Sequence, residues 1–276
     1  MTVPLSHPSD FTNDEWLELM IEGLELGREG VPSGPPEEVQ RTFVGFSGAA
    51  AMRQCYPFFK IAIDQHRQAL SHESVLDYGV GWGRLIRLFA RHVPLDRLFG
   101  VDVDPEILRV CSATDVPGRL QLVEPGGVLP FRDGEIGLAY AYSVFSHLSA
   151  AAAGDALAEL TRVVRRGGTL TFTTQGMRFL DLCCAVREKA GREPLAPAET
   201  SIDAFFDDPY SARESFRRGA HAYTGIGGGG VLTGDFYGWA AIPEAWLRSN
   251  LPGFVVANIV DDPGIDEQVI ITLRRR

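Results

Sequence analysis

Ser74-Val-Leu-Asp-Tyr-Gly-Val-Gly-Trp-Gly-Arg84 is the stretch that decides the fold. An apolar run enters Asp77, a loop carries glycines at 79, 81 and 83, and Leu85-Ile-Arg-Leu-Phe-Ala-Arg91 continues as a helix-like segment. A strand, a glycine turn and a helix start make a cradle for a nucleotide-like ligand. Gly79 can adopt backbone angles closed to other residues. Gly81 and Gly83, without a β-carbon, let a ligand lie against the main chain.

The spacing separates two ligand classes. A dinucleotide fingerprint reads G-x-G-x-x-G/A, and counting from Gly79 its last position falls on Arg84, which is not small. A second acid follows where the next strand should end. Leu98-Phe-Gly-Val-Asp102 reads as a strand closing on a carboxylate, which can accept hydrogen bonds from both hydroxyls of a ribose. The G-x-G-x-G loop, with an acid two residues before its first glycine, resembles motif I of class I S-adenosylmethionine-dependent methyltransferases.

Three further segments carry the resemblance. Leu129-Pro-Phe-Arg-Asp-Gly-Glu-Ile-Gly-Leu-Ala-Tyr140 is similar to the segment leading into that family's fourth strand. Tyr142-Ser-Val-Phe-Ser-His-Leu148 is similar to the stretch after that strand. Glu159-Leu-Thr-Arg-Val-Val-Arg-Arg-Gly-Gly-Thr-Leu170 resembles the helix and glycine turn entering the fifth. The resemblance covers residues 74–175 best. It implies S-adenosylmethionine as cofactor, with S-adenosylhomocysteine as product. It places the cofactor on Asp77, Tyr78, Gly79, Gly81, Gly83, Asp102, Val103, Glu124 and Tyr142. The sequence departs from the family where an aspartate is usual near the adenine. Pro125 stands there, and Glu124 is the nearest carboxylate of the loop 123–127.

Bulk properties exclude several function classes. The chain has 276 residues, 45 % of them hydrophobic, which suits one large domain or a domain with a small addition. Its formal net charge is −10, and its only cluster of cations, Arg274-Arg-Arg276, closes the sequence. Binding nucleic acid needs clustered positive charge, so a small-molecule acceptor is expected instead. No run of about 18 apolar residues occurs, so no membrane span is expected. Residues 1–8 lack a basic start and an apolar core, so they do not read as a signal peptide. The four cysteines, at 55, 111, 183 and 184, form no zinc pattern and are expected as free thiols in a reducing cytoplasm. No metal is expected, although the acid pairs Asp207-Asp208 and Asp261-Asp262 leave one open. A homodimer is left open as well.

The expected fold is α/β, a Rossmann-like seven-stranded sheet, mostly parallel with an antiparallel last strand, with helices on both faces. Strands at 74–78, 98–102, 119–123, 135–142 and 168–175 alternate with helices at 83–92, 105–112 and 148–165, as a parallel sheet requires. Residues 1–72 are expected to form an N-terminal helical cap, acting as a lid over the cofactor or as a packing layer. Its helices are capped by Thr12 or Asn13 and run again from about 48 to 70. Residues 73–276 form the remaining domain, interrupted at about 191–240 by an aromatic, glycine-rich insertion. That insertion is expected to shape the acceptor pocket, with a structural flap as the alternative.

Methyl transfer from a sulfonium is an in-line displacement that needs alignment and exclusion of water. A hydroxyl acceptor also needs a base, and His147, just past strand four, is the candidate. Its alternative role is packing beside the cofactor or capping the next helix. Phe145, Gln175, His221 and Tyr223 are the candidate acceptor contacts. O-methylation of a specialised metabolite or sugar is the expected activity. The alternatives are a non-catalytic S-adenosylmethionine-binding protein and a nicotinamide-dependent oxidoreductase.

Overall fold

The computed structural model describes residues 8–251 and 253–276; His7 and the other residues of 1–7 lie outside them. The chain opens with three helices, α1 (Asn13–Leu26), α2 (Glu37–Val44) and α3 (Gly48–His66). Thr12 caps α1: its hydroxyl accepts from the Glu15 N–H while the Glu15 carboxylate accepts from the Thr12 N–H. Sequence reading passes over α2, a short helix that follows Pro35-Pro36 with Glu37 and Glu38 in its first turn.

The alternation then unfolds as β1 (Val75–Tyr78), α4 (Arg84–Phe89), β2 (Leu98–Asp102), α5 (Pro105–Ala113), β3 (Arg119–Leu122), β4 (Ile136–Ala141), α6 (Ala150–Val163) and β5 (Val164–Thr174). Next come α7 (Met177–Ala190), α8 (Pro197–Asp203), α9 (Pro209–Arg217), β6 (Ala222–Thr224), β7 (Trp239–Ala241), α10 (Glu244–Ser249), β8 (Phe254–Val260) and β9 (Val269–Arg275). The seven-stranded sheet has the order β3-β2-β1-β4-β5-β9-β8. Only β9 runs against its neighbours, pairing antiparallel with both β5 and β8, as expected of the last strand. The order turns back between β1 and β4. Chain connections therefore diverge there and leave a crevice at the carboxyl edge.

Strand β5 starts four residues earlier than the glycine pair suggests. Val164 already pairs with Ile136, and the register shifts between Ile136 and Leu138. Gly167, at φ +76°, sits inside this irregularity. At Gly168 a β-carbon would stand 2.6 Å from the Gly137 carbonyl oxygen. The glycines thus bend a strand around its neighbour, where a turn before the strand was expected.

Of the N-terminal helices, α1 and α3 pack against the sheet layer. Met52, Cys55, Phe58, Phe59 and Ala62 of α3 share one buried cluster with Leu17 and Met20 of α1, Ile86 and Phe89 of α4, and Leu138 and Tyr140 of β4. Burying each of these large side chains contributes about 1.5–3 kcal/mol, which ties the layer to the sheet. A second cluster fills the opposite sheet face beneath α6 and α10. The insertion shares a small core with α7, with Leu180, Cys183, Phe206 and Ala222 at its centre and Trp239 against them. All four cysteines are buried and free. No helix among the described residues is long and apolar enough to cross a membrane.

Candidate active site

A cavity of about 400 Å³ opens at the carboxyl edge of β1, β2 and β4. Its floor is the glycine loop. Gly79, Gly81 and Gly83 have φ of +83°, +51° and +80°, a backbone region that L side chains rarely adopt. Gly79 and Val80 both donate to the Val101 carbonyl at 2.9 Å, and the Gly81 N–H donates to Asp102 Oδ2 at 2.9 Å. A β-carbon on Gly79 would meet Val144 at 2.4 Å, and one on Gly83 would meet Val116 at 2.5 Å. At Gly81 the nearest atom would be Phe43 Cδ1, 3.8 Å away. Gly79 and Gly83 are thus required by packing, while Gly81 faces open space in the cavity.

Asp102 ends β2 and faces the cavity, accepting also from the Asp104 N–H at 3.1 Å. Burial pushes its carboxyl upward, and the Asp104 and Gly81 N–H groups work against that. Asp77 also lines the cavity at 2 % exposure. Burial holds its carboxyl well above the usual range, opposed first by the Tyr140 hydroxyl. Tyr78 and Val103 complete the floor. Of the loop after β3, Val123, Pro125 and Gly126 reach the cavity but Glu124 does not. The carboxylate there comes from Asp155 of α6, whose Oδ2 would lie 3.9 Å from a β-carbon on Gly126. Asp155 stands on a helix face beside that loop, and nothing in the local sequence pattern marks it.

The turn after β4 forms the inner wall. Tyr142 donates its hydroxyl to Asp266 Oδ2 at 2.8 Å, and its ring lies 5.0 Å from the Arg84 guanidinium carbon. Ser143 adopts φ +59°, unusual for a residue with a side chain, and its N–H donates to Thr173 Oγ1 at 2.7 Å. His147 lines the cavity. Its ring stacks on Tyr237 at a centroid distance of 4.9 Å, and its Nδ1 lies 2.7 Å from the Gly238 carbonyl oxygen. A carbonyl can only accept, so the proton sits on Nδ1 and Nε2 keeps its lone pair. Burial lowers the pKa of His147, opposed by the Gly238 contact, so the ring is neutral at pH 7.

Four expected acceptor contacts are not in the wall. Phe145 is fully buried against Phe172, at a centroid distance of 4.4 Å, because it points into the core beneath α6. Gln175 is buried where it bridges to Ala241. His221 packs edge-on against Trp246 at 5.2 Å, away from the cavity. Tyr223 donates its hydroxyl to the Gly234 carbonyl at 2.7 Å and so braces the neighbouring loop from behind. That loop supplies the wall instead, through Leu232, Asp235, Phe236 and Tyr237. Phe43 and Val44, at the end of α2, close the roof from the other side. Trp82, 2 % exposed, lines the cavity, and its indole N–H has no partner among the described residues. The remaining acid pairs have other work: Asp208 caps α9 and Asp261 pairs with Arg178. No metal-holding cluster of three or more His, Cys, Asp or Glu occurs among the described residues.

The residues fit an adenosyl cofactor. A carboxylate faces the cavity for the ribose, an acidic residue stands by the loop after β3, and the floor at Gly81 leaves room for a ligand where a side chain would fill it.

Comparison with known proteins agrees with this geometry. Residues 76–172 match the family model described as a methyltransferase domain. No curated protein matches the chain in sequence. Among solved structures, magnesium protoporphyrin IX methyltransferase from Synechocystis, crystallised with S-adenosylhomocysteine, is 14 % identical with a TM-score of 0.52, over 82 % of this chain and 83 % of that one. An S-adenosylmethionine-dependent methyltransferase from Clostridium acetobutylicum is 12 % identical with a TM-score of 0.51, over 81 % and 91 %. One from Mesorhizobium loti is 13 % identical with a TM-score of 0.50, over 80 % and 98 %. These likenesses are of fold. Together with the matched domain they mark residues 76–172 as a methyltransferase domain, within a fold shared with S-adenosylmethionine-dependent methyltransferases.

Proposed function

We propose that the protein methylates a hydroxyl group of a small molecule, with His147 as the general base. The observation that carries this reading is the His147 ring, held in the cavity wall with Nδ1 committed to Gly238 and Nε2 left as an acceptor. Bound S-adenosylmethionine supplies an electrophilic methyl group on a sulfonium. The acceptor oxygen forms a bond to that methyl carbon as the carbon–sulfur bond breaks, and the electron pair returns to sulfur. The hydroxyl proton passes to His147 Nε2. Burial keeps the imidazole unprotonated, and its stacking on Tyr237 keeps it from rotating.

The cofactor half is proposed to use Asp102 for the ribose hydroxyls, the 79–83 loop for close backbone approach, and Val103, Gly126 and Asp155 around the adenine. Leu232, Phe236 and Tyr237 then form the acceptor end. A small metabolite or sugar, handled in the cytoplasm, suits an acidic chain whose cavity is roofed on both sides. The test is incubation with methyl-labelled S-adenosylmethionine and a panel of hydroxylated small molecules, with the products read by mass. Label on oxygen supports the reading. Label on carbon, or on a macromolecule, overturns it. So does binding of S-adenosylmethionine with no transfer to any component of a whole metabolite extract.

A further inference from the structure

The adenosyl cofactor carries one anionic group, the α-carboxylate of its methionine part, and no residue described above answers it. Among the described residues the cavity is lined by four carboxylates, Asp77, Asp102, Asp155 and Asp235, and by a single cationic side chain, Arg84. Arg84 is 7 % exposed. Its Nη1 donates to the Ala51 carbonyl at 2.9 Å and to Gln54 Oε1 at 2.7 Å, which uses both protons of that nitrogen. Nε and Nη2 make no hydrogen bond among the described residues, and Arg84 enters no ion pair there. Asp77 and Asp266 act on it through space, without a hydrogen bond to it among the described residues. Two neighbouring donors of the planar fork are the geometry that takes a carboxylate through parallel bonds.

We propose that Arg84 binds the α-carboxylate of the cofactor through Nε and Nη2. The proposal rests on the cofactor lying in this cavity. The alternative function of Arg84 is purely structural, pinning α3 to the glycine loop through Ala51 and Gln54. In the proposed role it does both, so the cofactor's charge completes a contact that begins in the N-terminal helices. With Arg84 engaged, the charged groups left in the wall are carboxylates. The acceptor end then offers no cation to a phosphate or carboxylate on the acceptor.

Calorimetry with two probes tests this. One is S-adenosylhomocysteine and the other is its decarboxylated analogue, which keeps the amine. The wild type should bind the analogue roughly 10- to 100-fold more weakly, the scale of lost charged hydrogen bonds. Arg84→Gln should weaken S-adenosylhomocysteine by a similar factor and the analogue by less than about threefold. Equal affinity of the two probes for the wild type overturns the proposal, and so does an equal loss for both in the variant. If Arg84→Gln does not fold, the wild-type comparison decides alone. Failure of S-adenosylhomocysteine itself to bind the wild type would instead remove the cofactor from this cavity, and the proposal with it.

Discussion

Alanine substitutions along the glycine loop separate packing from ligand contact. All three glycines lie at positive φ, so each alanine incurs about 1–2 kcal/mol of backbone strain. At Gly81 nothing more is added, because the new methyl has only Phe43 Cδ1 nearby, at 3.8 Å. At Gly79 the methyl would stand 2.4 Å from Val144 Cγ2, and relieving that overlap adds about 1–3 kcal/mol. Gly83→Ala meets Val116 in the same way, at 2.5 Å. Denaturant unfolding should therefore rank Gly81→Ala as the mildest, near 1–2 kcal/mol, with the other two at about 2–5 kcal/mol. Binding should rank differently. The Gly81 methyl projects into cavity space, so S-adenosylhomocysteine should bind about tenfold or more weakly to a protein that is still well folded. Wild-type affinity in Gly81→Ala would show that the ligand does not lie on that residue. Equal stability of Gly79→Ala and Gly81→Ala would refute the assignment of Val144 as the constraint.

Three other outcomes are expected. Asp102→Ala should weaken S-adenosylhomocysteine by about 1.5–3 kcal/mol in calorimetry, the scale of a hydrogen bond to a charged group; an unchanged affinity would take the ribose off this residue. His147→Ala should lower turnover by roughly 10²–10⁴-fold with little change in cofactor affinity. Because burial lowers the His147 pKa, the wild-type rate should hold at neutral pH and fall only below about 6.5, and a variant that keeps both rate and profile would leave His147 a packing residue. The third concerns acid stability. Burial holds buried His66 down to about 4 against about 6.5 in the unfolded chain, so the unfolded state binds the proton first and stability is lost as pH falls through that window. His66→Gln, which removes the titration beside Thr169, should lose about 2–3 kcal/mol less than wild type between pH 7 and 4.5, and parallel curves would contradict this.

The legible parts of this molecule are those written as local pattern. Strand β1, the glycine loop and Asp102 obey spacing rules because one turn must bring strand, loop and helix around a single ligand. The parts that were not legible depend on contacts between distant segments. Phe145 and His147 are two residues apart in one turn, yet one enters the core beneath α6 and the other the cavity. Asp155 was hidden because a helix residue announces its face only once the loop across from it is known. The insertion was marked by its aromatic residues, but His221 packs on Trp246 and Tyr223 holds the Gly234 carbonyl rather than lining the cavity. Its wall residues, Leu232 to Tyr237, follow a run of glycines, and their far end is fixed by long-range bonds between Gly238 and His147.

The cavity's cover and its floor come from different parts of the chain. Floor and donor-side residues come from one continuous stretch, Asp77 to Asp155, whereas Phe43 and Val44 precede that stretch and Leu232 to Tyr237 follow it. If the cavity is used as proposed, changes in the two covering segments would exchange one acceptor for another and leave the cofactor half untouched. A chimera that keeps residues 74–175 and replaces both covers would redirect the chemistry, whereas replacing either cover alone would leave two halves shaped for different molecules.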